Sequence, residues 1–244
     1  MNRSSANGGR ELSGTILDRL RGKFIVFDGI DGAGKGAQLN LLEKALHDCK
    51  IETARARDPG GTPIGDRIRH VLLDYDLSEM DVRCEAFLFM ASRAQLVTEV
   101  VKPAMKAGKA CLGDRYVSAT CAYQGAAGYD PAGVIDLARF AIGDVWPHLT
   151  IILDVPPKQA HERTGRKPAA GKKADASAAR HPTLFHDVHT DAMEARPFNF
   201  HEKVHELFLM LPTFYPAPVV IVDGMGSVEE VQKRVMKAIA DAAL

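Results

Sequence analysis

The stretch "FDGIDGAGKGAQ", residues 27–38, constrains this chain more than any other. An apolar run leads into it and a helical pattern leads out. Gly29 and Gly34-Lys35 stand at the spacing G-x-x-x-x-G-K. That order of strand, glycine-rich turn and helix builds a cradle for phosphate. The glycines, Gly29, Gly32, Gly34 and Gly36, let backbone N–H groups turn inward, and the helix N-terminus adds partial positive charge. Lys35 supplies a full charge for β- and γ-phosphates. Two features sit oddly in an anion site. Asp31 is a carboxylate, and bound triphosphate would repel it. It is therefore expected to point away from the cradle, toward a neutral donor such as a sugar hydroxyl on a second substrate. Gly36 stands where Ser or Thr is usual, so the hydroxyl that ordinarily reaches a metal ion is missing.

The rest of the chain repeats the strand-then-helix rhythm. Apolar runs occur at 23–28, 51–56, 109–114, 149–155 and 218–223. Four are rich enough in Val, Ile, Leu or Phe to be buried on both faces; the second is weak. Helical patterns lie between them, including a long one near 82–107. The expectation is an α/β fold: one parallel sheet of five strands with helices on both faces, and ligands at the C-terminal strand edge. A single domain is expected over 22–244, preceded by a frayed tail, 1–21. One stretch, 163–183, is small and basic with almost no large apolar residue, and reads as a mobile loop inside that domain.

Composition removes several classes. The 31 basic and 31 acidic residues balance, so no global field draws the chain to nucleic acid or a membrane surface. No apolar run approaches transmembrane length. The four cysteines form no C-x-x-C pair, which suggests reduced thiols in a cytoplasmic protein.

Three further segments carry chemistry at the strand ends. "RDPGGTPIGDRIRHVLL" (57–73) follows the second run and places Arg67 and Arg69 in the first turns of a helix. Arginine forks bind phosphate in a bidentate way. "GDRYVSATCAYQGAAG" (113–128) follows the third run. Asp114 ends that strand and is a candidate for the shell of a Mg²⁺ ion; Arg115, Ser118, Thr120, Tyr123 and Gln124 follow. Asp28, at the end of the first run, is either a second metal acid or a turn cap. Phe89 and Arg93 are four apart on the long helix and so share a face, where they could stack on and hydrogen-bond a flat heterocycle.

The blocks "FDGIDGAGKG", "RDPGGTPIG", "FLFMASRAQL", "GDRYVSATCAYQG" and "LDVPP" occur in this order and at natural spacing. Together the chain resembles the thymidylate kinase family, well over 22–165 and weakly beyond. The resemblance implies a P-loop kinase with a lid, about 164–192, and a homodimer that phosphorylates dTMP with ATP and Mg²⁺. By the same resemblance Asp31 takes the dTMP sugar hydroxyl. Phe89 and Arg93 take thymine, Gln124 faces the base, and Arg69 and Arg115 hold the dTMP phosphate.

The chain also departs from the family pattern. Besides Gly36, the frequent pair of serines becomes Ala119-Thr120, and an arginine near the lid is replaced by Ala192. The basic residue that closes over the phosphates is one of Arg163, Arg166, Lys167, Lys172, Lys173 and Arg180, with Arg166 favoured. These losses leave open a nucleotide-binding homologue with impaired turnover. A third reading comes from "HEKVH" (201–205), which matches the helical zinc motif H-E-x-x-H of metal-dependent hydrolases.

Overall fold

The computed structural model describes residues 15–74, 80–164 and 196–244. Five strands form one parallel sheet in the order β2-β3-β1-β4-β5. They are β1 (Phe24–Asp28), β2 (Thr53–Arg57), β3 (Ala110–Asp114), β4 (Leu149–Asp154) and β5 (Val219–Asp223). Helices surround it: α1 (Lys35–Asp48), α2 (Pro63–Asp74), α3 (Val82–Leu96), α4 (Lys102–Lys106), α5 (Val117–Ala126), α6 (Pro131–Ile142), α7 (Pro157–Arg163), α8 (Phe198–Phe214) and α9 (Val228–Asp241). This is the expected α/β fold with five parallel strands.

Strand position explains strand composition. β1 lies in the middle, and all five of its residues are buried. A strand covered on both faces must be apolar throughout, as "FIVFD" nearly is. β2 is an edge strand, with only Ala56 buried. Its polar residues are held sideways instead: Arg55 donates to Asn40 Oδ1 at 2.7 Å and Glu43 Oε2 at 2.8 Å on α1. That is why its sequence signal is weak.

Two expectations need correction. The long helical pattern near 82–107 is not one regular α-helix. A π-helical turn, Val97–Val101, separates α3 from α4. Pro103 lacks an N–H and its ring crowds the turn before it, so the wider turn falls where the regular ladder cannot continue. The tail also ends earlier than residue 21. Leu17 and Leu20 are buried in the core, and Arg19 Nη1 donates to Ala240 O at 3.2 Å. That short N-terminal segment closes the core beside α9.

The strand register brings the acidic strand ends together. Phe27 pairs with Asp114, Asp28 with Ile152, and Arg57 with Asp114. The loops that follow β1, β2 and β3 therefore share one edge of the sheet.

Candidate active site

The loop after β1 takes its shape from its glycines. Gly32 has φ +82, and a Cβ there would lie 2.2 Å from Ala160 O on α7, so no side chain fits. Gly34 caps α1 in the left-handed region, with φ 94 and no side-chain cap. The first N–H groups of α1 thus remain available to an anion. Lys35 is buried and folded back: Nζ donates to Gly29 O and Ile30 O, both at 3.0 Å. Burial, helped by Arg115, lowers its pKa to about 8 against the opposing pull of Asp31, Asp28 and Asp114. Gly36 faces open space; a Cβ there would meet nothing within 4 Å.

A cavity of about 240 Å³ opens beside this loop, at the C-terminal edge of the sheet. Asp31 and Lys35 form one wall; Arg57, Asp58 and Arg69 come from the β2 end and α2. Phe89 and Arg93 reach it from α3, and Asp114, Arg115, Thr120, Tyr123 and Gln124 from β3 and α5. Of the residues singled out from sequence, Asp31, Lys35, Arg69, Phe89, Arg93, Asp114, Arg115 and Gln124 therefore line one space.

Arg115 is the hub of the wall. It adopts φ 66, in the left-handed region, which turns its side chain back across β1. Nη1 donates to Gly29 O at 3.1 Å and contacts Asp28 Oδ1 at 3.3 Å. Nη2 donates to Asp31 and to the Tyr123 hydroxyl, and the guanidinium lies 5.1 Å from the Tyr123 ring centroid. The Tyr123 hydroxyl also donates to Asp31 Oδ2 at 3.1 Å. Burial pushes the Asp31 pKa up, but the charges of Arg115 and Lys35 and these hydrogen bonds outweigh it. Asp31 is held well below the usual carboxylate range, and so is anionic. It faces Arg115 and Tyr123 on the cavity wall.

Asp28 occupies a different position from Asp114. It is fully buried, and both oxygens are taken: Oδ1 accepts from Gly29 N at 2.9 Å, Oδ2 from Ser118 Oγ at 2.6 Å. Burial raises its pKa despite Arg115, Ser118 and Lys35. The Gly29 contact is the one a turn cap makes, and the metal role expected of Asp28, through water, does not conflict with it. Asp114, half-buried on the cavity wall, keeps that role open.

Arg69 Nη1 donates to Pro59 O at 2.9 Å. The Gln124 amide is buried on the cavity wall, beside the Glu85 carboxylate. Arg67 is exposed. Arg166 and the basic residues from 167 to 180 lie outside the described residues, as does Ala192. Arg163 donates to Gly224 O at 3.1 Å, in the loop after β5.

The zinc reading finds no site. His201 is buried, its ring 5.0 Å from that of His161. His205 Nε2 lies 2.7 Å from Asp154 Oδ1. Among the described residues no three His, Cys, Asp or Glu side chains converge on a metal position.

Among the cavity residues that escaped the sequence reading is an acid, Asp58. Asp58 is buried and pairs with Arg93, Nε to Oδ2 at 2.5 Å. Burial raises its pKa against the pull of Arg93. An acid before Pro-Gly-Gly looks like a turn residue; its partner, 35 positions away, carries no local signal.

The profile of the family described as thymidylate kinase matches residues 27–235. The chain is 36% identical to the thymidylate kinase of Symbiobacterium thermophilum over 220 residues, 89% of this chain and 92% of that protein. It is 34% identical to that of Caldanaerobacter subterraneus subsp. tengcongensis over 225 residues, 91% and 97% of the two chains. It is 36% identical to that of Geotalea uraniireducens over 219 residues, 89% and 96%. With a family profile spanning most of its length and relatives aligned nearly end to end, the chain belongs to the thymidylate kinase family.

Proposed function

We propose that this chain transfers the γ-phosphoryl group of ATP to dTMP, giving ADP and dTDP. The observation that carries the reading is the shared cavity: the phosphate loop and a pocket with an aromatic ring, a buried arginine and a buried amide meet in one space. Transfer of this kind needs no protein nucleophile. The work is positioning and charge neutralisation. ATP seats its phosphates on the loop, and Lys35 leaves the Gly29 and Ile30 carbonyls for them. dTMP enters the other side. Phe89 lies against the thymine, Arg93 and Gln124 bond its edge, and Asp31 accepts from the sugar hydroxyl. Arg69 and Arg115 hold the acceptor phosphate in line. Arg166 is the proposed closing residue over the transferring group.

Mg²⁺ suits the donor set: Asp114, a carboxylate beside the phosphate loop, would help hold it, together with phosphate oxygens and water. When bound, it neutralises charge on the β- and γ-phosphates. The chain acts as a homodimer: Phe87 and Phe140, 58% and 92% exposed on the neighbouring helices α3 and α6, offer a face for a second copy. All four cysteines are free thiols, which favours a reducing compartment such as the cytoplasm.

A coupled assay of ADP release, run with a panel of nucleoside monophosphates, tests the reading. dTMP should give a kcat/KM about 100-fold above dCMP and AMP, given the cost of mismatching buried polar groups. Lys35→Ala should lower kcat at least about 100-fold. Equal use of AMP, or an active Lys35→Ala variant, would overturn it.

A further inference from the structure

Arginine carries five N–H donors, and Arg93 uses four inside the protein. Nε donates to Asp58 Oδ2. Nη2 donates to Tyr116 O at 3.1 Å and to Thr120 Oγ1 at 2.9 Å. Nη1 donates to Met90 Sδ at 3.0 Å. One N–H, on Nη1, remains, in a side chain that lines the cavity. A guanidinium in this state cannot grip phosphate with a fork. It can give one hydrogen bond to one acceptor.

Asp58 is what holds it so. Its backbone N–H donates to Asp114 O at 3.0 Å, tying it to the end of β3. Its carboxylate is 1% exposed, as is Arg93, so no water competes for the pair. Its second oxygen, Oδ1, is buried and without a hydrogen-bond partner. A buried anion with an unused acceptor favours Arg93 in this one rotamer, because any other leaves two buried charges apart.

We propose that Asp58 is a positioning residue for base selection: it clamps Arg93 so that a single N–H faces the acceptor base, and the site thereby selects a pyrimidine with a carbonyl at that point over one with an amino group. This rests on the proposed dTMP kinase activity. Asp58 touches no reacting atom, so its loss acts on acceptor affinity and selectivity rather than on transfer.

The test is a double-mutant cycle of Asp58→Asn and Arg93→Lys, read by steady-state kinetics and by calorimetric titration with dTMP. Asp58→Asn keeps the shape and removes the charge. It should raise KM for dTMP about tenfold, the loss of one charge-assisted hydrogen bond. kcat and KM for ATP should stay within about threefold, and the preference for dTMP over dCMP should narrow about tenfold. The double variant should cost little more than Arg93→Lys alone, since Asp58 acts through Arg93. Asp58→Glu, which restores the charge on a longer arm, should recover part of the preference. Additive costs, an equal rise in both KM values, or a fall in kcat at constant KM would overturn the proposal. Should Asp58→Asn not fold, the Asp58→Glu arm decides by the same split: an unchanged dTMP/dCMP preference with raised KM for both substrates overturns it. If the wild-type protein neither binds nor phosphorylates dTMP, the functional reading fails and this one with it. If the wild type is active and the cycle is additive, only this one fails.

Discussion

Gly36 stands where a phosphate loop usually carries Ser or Thr, and its surroundings say what that costs. It sits at the second position of α1, with no left-handed backbone angle, and a Cβ added there would have no atom within 4 Å. A side chain would therefore fit without strain. Gly36→Ser should raise stability by about 0.5 kcal/mol, the difference in helix propensity. It should also lower the Mg²⁺ concentration for half-maximal activity, by returning a hydroxyl to the loop. A thermal melt and a Mg²⁺ titration check the two effects separately. An unchanged titration would mean that water already fills the hydroxyl's place. Gly32 shows the opposite case, since the Ala160 carbonyl stands where its side chain would go. Sequence identified both glycines as loop residues. It did not separate the one held by a backbone contact from the one that merely lacks a side chain, because Ala160 lies far along the chain, on α7.

At the level of elements, the start of α8 is tied to the start of α3. Arg196 Nη2 donates to Glu85 Oε1 at 3.0 Å and Oε2 at 3.2 Å, and its guanidinium lies 4.6 Å from the Phe200 ring centroid. Glu85 is buried, 2% exposed, and burial raises its pKa against Arg196. Arg196→Ala would leave this carboxylate buried without its charge partner, at a cost of about 3 kcal/mol in urea unfolding. Adding Glu85→Gln should recover part of that loss, since a neutral amide is cheaper to bury. If the double variant is no more stable than the single, the pair is not what holds the helices. Neither residue stood out in the sequence: an acid and an arginine 111 positions apart read as solvated faces. The strands were legible in proportion to their burial. β1 and β4 announce themselves, while edge strand β2 begins two residues later than its pattern suggests.

For the whole molecule, the exposed aromatic face carries the proposed dimer. Phe140 is 92% exposed, and a large apolar side chain in that position is better covered than wet. Phe140→Glu should shift sedimentation from dimer to monomer, leaving circular dichroism unchanged; a wild-type monomer would remove the dimer from the proposal. What the sequence determined by itself was local: the order of strands and helices, the glycine loop, and which loops could carry chemistry. These follow from periodicity and from turn residues, which act over a few positions. Partnership between distant residues came only with packing. That packing buried Asp28 under Ser118 and Gly29, turned Arg115 back onto Asp31, and clamped Arg93 with Asp58. Each of those pairings depends on the parallel register that sets the ends of β1, β2 and β3 side by side, and a charge acquires its role from the partner burial forces on it.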